Sequence, residues 1–352
     1  MTRHLPPFHR TRWVRAHPAV VLVAMLTLPV AAGCIRPTAG GSGGPPGTTI
    51  ETLAMRTLTG ALIESVPVVQ VRAIEAMQQV APQSGGPYFN ELLLSTVPPV
   101  RFAALMAVGT VRHAAARERV AALLNDPNPS VQVGAIFALH RLGDTRQTTK
   151  LSVFLLNHTD AGVRANAAMA LGRLGEKGAI PTLEQGLRDR EESVRLQVME
   201  SLVLLGDKKS TGRLGFVALS STGQKMVFAL LALRNSNQRE VIDVFIEQFT
   251  RGIYDEVKLA AAAGLGRFGR RDGLSFALDR FQRFTPHPGG ADTPEQQVIR
   301  VKTLAALAIE ECGDPSALDV LDRMLRSDDD ISIRVAAART AISLLHRGPS
   351  RR

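Results

Sequence analysis

The sequence is poor in cysteine, aromatic residues and histidine. It has two cysteines, Cys34 and Cys312, among 352 residues, which excludes a disulfide framework and a cysteine-rich zinc site. Aromatic residues make up 5% of the chain, so few rings are available to stack on nucleic-acid bases. No two histidines after residue 33 have metal-ligand spacing, and there is no Gly-x-Ser-x-Gly elbow and no phosphate-binding loop. We therefore predict no enzyme activity, no cofactor, no metal and no small-molecule substrate.

The formal net charge of +10 overstates the basic character of the folded part. The first 33 residues carry four arginines and no acid, and the remainder has 38 basic and 32 acidic residues. An excess of six charges is small for a chain of this size, so we predict no nucleic-acid partner. The hydrophobic content of 45% is that of a globular protein with a large core.

The N-terminus has the pattern of an export signal. Residues 1–17 are basic and residues 18–33 are almost wholly apolar, a run shorter than the roughly 20 residues of a membrane-spanning helix. Ala31, Ala32 and Gly33, directly before Cys34, resemble a bacterial lipobox, although the family usually has Leu where Ala31 stands. The resemblance implies cleavage after residue 33 and lipidation of Cys34. The residue after Cys34 is Ile35 and not Asp, which implies that the protein lies at the outer membrane and faces the periplasm. An ordinary cleaved signal or an uncleaved anchor is the alternative.

Two further segments lie outside the predicted core. Residues 34–48 are rich in Gly and Pro and predict a flexible tether behind the lipidated cysteine. Residues 347–352 predict a disordered tail.

The rest of the chain is a repeat. In the copy beginning at Asp160, the apolar residues Val163, Ala167, Ala170, Leu171 and Leu174 form one helical stripe, and Gly175 stands where a helix ends. Copies are spaced by 29 to 32 residues, with one spacing of 44. Their anchor positions are Val71, Val100, Val131, Val163, Val194, Met226, Val257, Val301 and Ile333, and Gly143, Gly206, Gly269 and Gly313 repeat the glycine stop.

The pattern Asp…Val-Arg…Ala-Leu-Gly…Leu-Gly…Ala-Ile-Pro resembles the HEAT repeat, of the type known from phycobilisome lyases. The resemblance implies an all-α fold: a right-handed α-solenoid of about nine two-helix repeats over residues 49–346. It also implies that the Val-Arg helix lines the concave face. HEAT-like hydroxylases bind iron through His-Glu pairs, and this chain has none.

Three places depart from the repeat. The Val71 copy has Glu75, Gln78 and Gln79 on the stripe, which predicts a terminal cap whose polar face meets water. The Met226 copy carries Arg234 and Asn237 at apolar positions, which predicts a looser repeat, a hinge or a contact site. Residues 283–295 hold a Pro- and Gly-rich insertion, interpreted as a surface loop.

A basic residue follows the anchor in most copies. The candidate contact residues are Arg101, Arg164, Arg195, Lys258, Lys302 and Arg334. They predict either a ladder, in which each one bridges neighbouring Asp-containing turns, or a cationic track on the concave face. Cys312 occupies a stripe position and predicts a small core residue. Asp328–Asp330 predicts a turn and N-cap for the last helix rather than a calcium site.

The sequence thus favours a non-enzymatic scaffold or adaptor that binds protein partners. Its expected place is the bacterial cell envelope, on a lipid anchor, with one or more envelope proteins as partners. Two alternatives stay open at this stage: a subunit or chaperone-like lyase related to HEAT-repeat bilin lyases, and a HEAT-like nucleic-acid-binding protein.

Overall fold

The computed structural model describes residues 49–287, 292–327 and 329–347, and every regular element within these ranges is a helix. The predicted signal, Cys34 and the segment up to residue 48 lie outside the described residues. So do residues 288–291 of the insertion, Asp328 and residues 348–352.

The described chain folds into eighteen α-helices arranged as nine pairs, which confirms the predicted all-α repeat architecture. The first helix of each pair lies on the outside: α1 (Ile50–Leu62), α3 (Pro82–Leu92), α5 (Arg117–Ala122), α7 (Thr149–Asn157), α9 (Ile180–Gly186), α11 (Lys208–Ser220), α13 (Val241–Arg251), α15 (Leu274–Arg283) and α17 (Leu318–Leu325). The second helix lies inside: α2 (Pro67–Val80), α4 (Pro98–Val111), α6 (Pro129–Arg141), α8 (Ala161–Leu174), α10 (Glu192–Leu204), α12 (Gln224–Leu233), α14 (Asp255–Arg267), α16 (Pro294–Cys312) and α18 (Ile331–His346).

Helix α8 shows how the sequence sets the ends of an inner helix. The Asp160 carboxylate accepts hydrogen bonds from the backbone N–H groups of Gly162 and Val163, at 2.6 and 3.2 Å, and so caps the first turn. Gly175 ends the helix with a φ of 77°, in the left-handed region that a Cβ disfavours. The predicted glycine stops at residues 143, 206, 269 and 313 also have positive φ, so the local signals were interpreted correctly.

Inner helices are buried on nearly all sides. Each one packs against the inner helices of the two adjacent repeats, against an outer helix and against the interior of the ring. In α14 every residue from Leu259 to Gly266 is buried. Small side chains let these helices approach closely. A Cβ on Gly266 would lie 2.6 Å from the backbone nitrogen of Cys312 in α16, so only glycine fits there.

The nine inner helices form a closed ring. Each one packs against the next along the chain, and α18 packs back against α2 and against the outer helix α1. One apolar core runs across this seam, because it contains Leu58 and Leu62 of α1 together with Ala338 and Ile342 of α18. The stack of repeats therefore has no free end within the described chain.

The ring has two rims, because the two helices of each pair are antiparallel. The loops from outer to inner helices lie on one rim, here called the upper rim; they include residues 63–66, 93–97, 158–160 and 252–254. The loops from inner to outer helices lie on the other, the lower rim; they include residues 112–116, 142–148, 175–179 and 268–273.

Ring closure shows that the predicted terminal cap is wrong. Glu75 and Gln78 of α2 are buried rather than facing water. The first repeat has neighbours on both sides, since α18 occupies the position where solvent was expected. The Met226 copy is also not loosened at Arg234, which is fully buried, whereas Asn237 is exposed.

Candidate functional site

Three of the six predicted contact residues form buried ion pairs with the following repeat. Arg101 holds Asp126 through Nε and Nη2, both at 2.9 Å. Arg164 holds Asp189 in the same way, at 2.7 and 2.8 Å, and Lys302 Nζ lies 2.9 Å from Asp329 Oδ1. Paired guanidinium and carboxylate groups fix the geometry of both partners. Each pair fastens an inner helix to the upper-rim loop of the next repeat.

The other three residues are placed differently. Arg195 donates through Nη1 to the backbone oxygens of Asp189 and Arg190, at 2.7 and 3.0 Å. The Lys258 ammonium lies 5.8 Å from the centre of the Phe276 ring. Arg334 is half-buried, and its Nε has no hydrogen-bond partner among the described residues. The six residues therefore lie along the upper rim and do not converge on one pocket.

A set of charged side chains fills the centre of the ring. We call it the central cluster, and it consists of Glu75, Arg173, Glu200, Arg234, Glu310, Glu311 and Arg339. Its members come from five different inner helices and, for Arg234, from the residue that follows α12. Arg339 Nη2 lies 2.6 Å from Glu310 Oε2, and Arg234 Nη1 lies 3.2 Å from Glu311 Oε1. The second contact joins residues that are two repeats apart, so it links repeats that are not neighbours along the chain.

Burial changes the acidity of two carboxyl groups in this cluster. Desolvation raises the pKa of Glu75 to about 8, although Arg173, Arg72 and Arg339 oppose the shift. Desolvation likewise raises the pKa of Glu200 to about 7, against Arg173 and a 2.7 Å hydrogen bond from Gln197. One oxygen of Glu75 has no hydrogen-bond partner among the described residues. Glu75 is therefore largely protonated at neutral pH.

The sequence carried a signal for this cluster that was interpreted wrongly. Glu75 stands at a stripe position that is apolar in the other copies, and Arg234 at one that is apolar in all other copies except the first, which has Gln79 there. Polar residues on a stripe suit a solvated end of an open stack, but in a closed ring they reach the interior. Charged side chains therefore occupy the centre of the ring.

Exposed apolar side chains lie on the upper rim instead. Ile63 is 77% exposed and Leu94 64%, and both belong to loops of the first two repeats. A cleft between these loops is lined by Glu64, Pro67, Gln70, Glu91, Leu92, Leu94, Ser95, Thr96 and Val97. Across the ring, in the seventh repeat, Ile253 is 88% exposed and Tyr254 53%. Exposed apolar groups at such density are typical of interaction surfaces.

The remaining candidate residues have structural surroundings. Cys312 is a buried free thiol, and burial raises its pKa to about 11, so the thiolate is scarce at neutral pH. Asp330 caps α18 by accepting from the N–H of Ser332 at 2.7 Å. Within the described ranges, no three His, Cys, Asp or Glu residues are grouped as a metal site would require. None of the described helices is long and apolar enough to cross a membrane.

Comparison with known proteins agrees with this repeat geometry. The family model for HEAT repeats matches residues 89–155 and 116–203. The chain carries HEAT repeats. In the described chain the same two-helix unit continues on both sides of the matched segment. No curated protein matches the HEAT-repeat chain in sequence.

Solved structures of low identity resemble the HEAT-repeat chain. Human deoxyhypusine hydroxylase in complex with glycerol is 16% identical, with 77% of this chain and 99% of that chain covered and a TM-score of 0.37. YibA of E. coli is 18% identical, with coverages of 75% and 95% and a TM-score of 0.35. The complex of CpcE and CpcF of phycocyanin lyase from Nostoc sp. PCC7120 is 17% identical, with coverages of 68% and 94% and a TM-score of 0.40.

Proposed function

We propose that the protein is a non-enzymatic scaffold that binds a protein partner through its upper rim. The observation that carries this proposal is the exposure of Ile63 and Leu94 beside a cleft, on a rim whose loops are held in place by buried ion pairs. A rigid surface loses little conformational freedom on binding, which favours recognition.

The chemistry of the cleft defines the kind of partner. Leu94 and Val97 supply apolar surface, while Glu64 and Glu91 lie at its edge. Glu91 is paired with Arg119 at 2.8 Å, and Glu64 forms no ion pair with another described residue. A partner segment that combines an apolar side chain with a basic one fits both features.

We further propose that the scaffold is lipid-anchored through Cys34 and exported to the bacterial envelope, at the outer membrane facing the periplasm. The support is the basic and apolar N-terminal sequence and the small residues before Cys34. Lipidation would fasten the ring to a bilayer without a membrane-spanning helix, because buried acyl chains supply the membrane affinity. The partner would then be another envelope protein.

Photo-crosslinking in the source bacterium tests the interaction surface. A photoreactive residue at Leu94 should yield one or a few stoichiometric envelope-protein adducts, and Ile63→Asp should reduce them. Phe216, on the outside of α11 and 71% exposed, is the matched control for an exposed apolar residue away from the rims. Equal adducts from both positions, or adducts with cytosolic proteins alone, would contradict the proposal.

Fractionation tests the anchor separately. Cys34→Ser should move the protein from the membrane fraction to the soluble fraction or leave its signal uncleaved. Mass spectrometry of the wild-type N-terminal peptide should show an acylated Cys34. An intact Met1 terminus would discard the anchor and leave the crosslinking result to stand alone.

A further inference from the structure

Both ends of the described chain lie on the lower rim. Helix α1 begins there after Thr49, and α18 ends there at His346. The two ends touch, because His346 Nε2 lies 3.0 Å from Glu51 Oε1. The fourteen residues 35–48 that separate Thr49 from Cys34 therefore join the ring at its lower rim.

The lower rim also carries basic side chains that other protein groups do not neutralise. Eight exposed cations of this rim form no ion pair with another described residue: Arg112, Arg117, Lys150, Lys177, Lys208, Lys209, Arg239 and Arg267. Among the exposed carboxylates of the rim, Glu118, Glu240, Asp243 and Asp319 are left in the same state. Asp144, Asp272 and Asp314 are paired with Arg146, Arg270 and Arg271. Glu51 and Glu176 contact the histidines His346 and His140, so even with these two carboxylates counted the unpaired cations outnumber the unpaired acids. The uncompensated charge of the described lower rim is positive.

The upper rim carries less uncompensated positive charge. Three of its cations, Arg101, Arg164 and Lys302, are paired with the buried Asp126 and the half-buried Asp189 and Asp329. Glu64 and Asp160 are exposed there and form no ion pair with a described residue, and the exposed Arg188 is a cation of this rim in the same state. The two rims of one ring therefore present different charges to anything that approaches along the ring axis.

We propose that the lower rim lies against a surface of anionic lipid headgroups. The inference rests on the lipid anchor proposed above, which brings Cys34 to a bilayer. Fourteen residues span at most about 50 Å, so the anchor alone keeps the ring near the bilayer but leaves its orientation free. Each uncompensated cation close to an anionic leaflet raises membrane partitioning about fivefold. The charge of the lower rim therefore selects the face that meets the lipid.

This orientation deepens the scaffold function. With the lower rim on the lipid, the cleft at Leu94 and the exposed Ile253 face away from the bilayer. The partner would approach from the periplasmic space, and the lipid surface would not cover the contact residues.

Energy transfer in proteoliposomes tests the orientation with a matched pair of sites. Thr145 and Thr159 are exposed loop residues at opposite ends of the same outer helix α7, on the lower and upper rims respectively. Each is replaced by Cys and labelled in full-length, membrane-extracted protein that also carries Cys312→Ala. The acceptor is a headgroup-labelled lipid. In vesicles of phosphatidylglycerol and phosphatidylcholine, transfer from position 145 should exceed transfer from 159 severalfold.

Changing the charge of the lipid, the salt concentration or the rim shows whether electrostatic attraction or the geometry of the tether orients the ring. The difference between the two sites should shrink in vesicles of phosphatidylcholine alone and at high salt, because screening shortens the range of the interaction. Arg112→Gln with Arg267→Gln should also shrink it. Arg188→Gln with Arg190→Gln, on the upper rim, is the matched control and should leave it unchanged. Equal transfer from both sites on anionic vesicles, with the protein anchored, would overturn the proposal.

Failure of the anchor can be told apart from failure of the orientation. If mass spectrometry shows an unmodified Cys34, flotation replaces energy transfer. Binding to phosphatidylglycerol-containing vesicles and not to phosphatidylcholine vesicles, weakened at least tenfold by Arg112→Gln with Arg267→Gln, would still support a lipid-facing lower rim. No flotation with either vesicle would overturn it.

Discussion

Glu51 in the first helix and His346 in the last lie 3.0 Å apart, although 295 positions separate them in the sequence. Both side chains are about half exposed, so the contact itself contributes little stability. Its importance is topological. It marks the seam at which a stack of nine repeats meets its own beginning, above an apolar core shared by both ends.

Chemical crosslinking should detect this closure. Glu51→Cys with His346→Cys should give an intramolecular link with a short bismaleimide, in protein that also carries Cys34→Ser. An open stack would separate the first and last inner helices by eight steps of about 8–10 Å, roughly 70 Å, which such a reagent cannot bridge. Glu51→Cys with Thr159→Cys is the control pair and should stay unlinked. Absence of the link in the first pair would show that the ring is open in solution.

The central cluster predicts that the free energy of unfolding depends on pH, and Glu75 contributes part of this dependence. The pKa of Glu75 is raised to about 8 in the folded protein, against about 4.3 in an unfolded chain. The unfolded chain therefore loses this proton first as the pH rises. The free energy of unfolding should fall between about pH 4.5 and pH 8, by an amount on the order of a few kcal/mol from this group.

Glu75→Gln should remove that part of the slope, because glutamine resembles the protonated carboxyl and cannot ionise. Denaturant unfolding followed by circular dichroism measures the effect. The variant and the wild type should be similar near about pH 4, where Glu75 is protonated in the folded and the unfolded chain, and the variant should be the more stable of the two at pH 9. A wild-type curve without any loss of stability over this range would contradict the buried, protonated Glu75.

Removing one partner of a ladder ion pair should destabilise the folded protein. Arg164→Met leaves Asp189 without its bidentate partner in a largely buried place. We expect a loss of about 3–5 kcal/mol in the free energy of unfolding, because the remaining carboxylate is desolvated and unpaired. Arg146→Met removes an exposed arginine from Asp144 and should change stability little. Equal effects of the two substitutions would show that burial does not distinguish these pairs.

Replacing each of two helical glycines by alanine should change the stability of the protein in opposite directions. Gly266→Ala places a Cβ 2.6 Å from the backbone nitrogen of Cys312, and two inner helices must move apart to accept it. We expect a loss of roughly 1–3 kcal/mol. Gly60 in α1 has no atom within 4 Å of its Cβ position, so Gly60→Ala should stabilise the protein by up to about 1 kcal/mol. Thermal unfolding of both variants measures the sign of each change in stability. The same sign for both would contradict the packing of α14 against α16.

The sequence by itself determined the repeat unit. Local signals define it: the Asp160 cap, the stripe from Val163 to Leu174 and the Gly175 stop act within one helix and its ends. Such signals depend on spacing along the chain, so they could be interpreted without any distant contact. The number of repeats and the all-helical fold followed from the same periodicity.

Only the tertiary structure decided that the repeats close. Closure depends on the small angle between neighbouring helix pairs, summed over nine pairs, and no single repeat encodes that sum. For the same reason the burial of Glu75 and Arg234 could not be deduced from their stripe positions: a polar residue meets water at the end of an open stack and meets other charges inside a ring. The upper-rim cleft is a further consequence of tertiary packing, since two loops 30 residues apart have to lie side by side to form it.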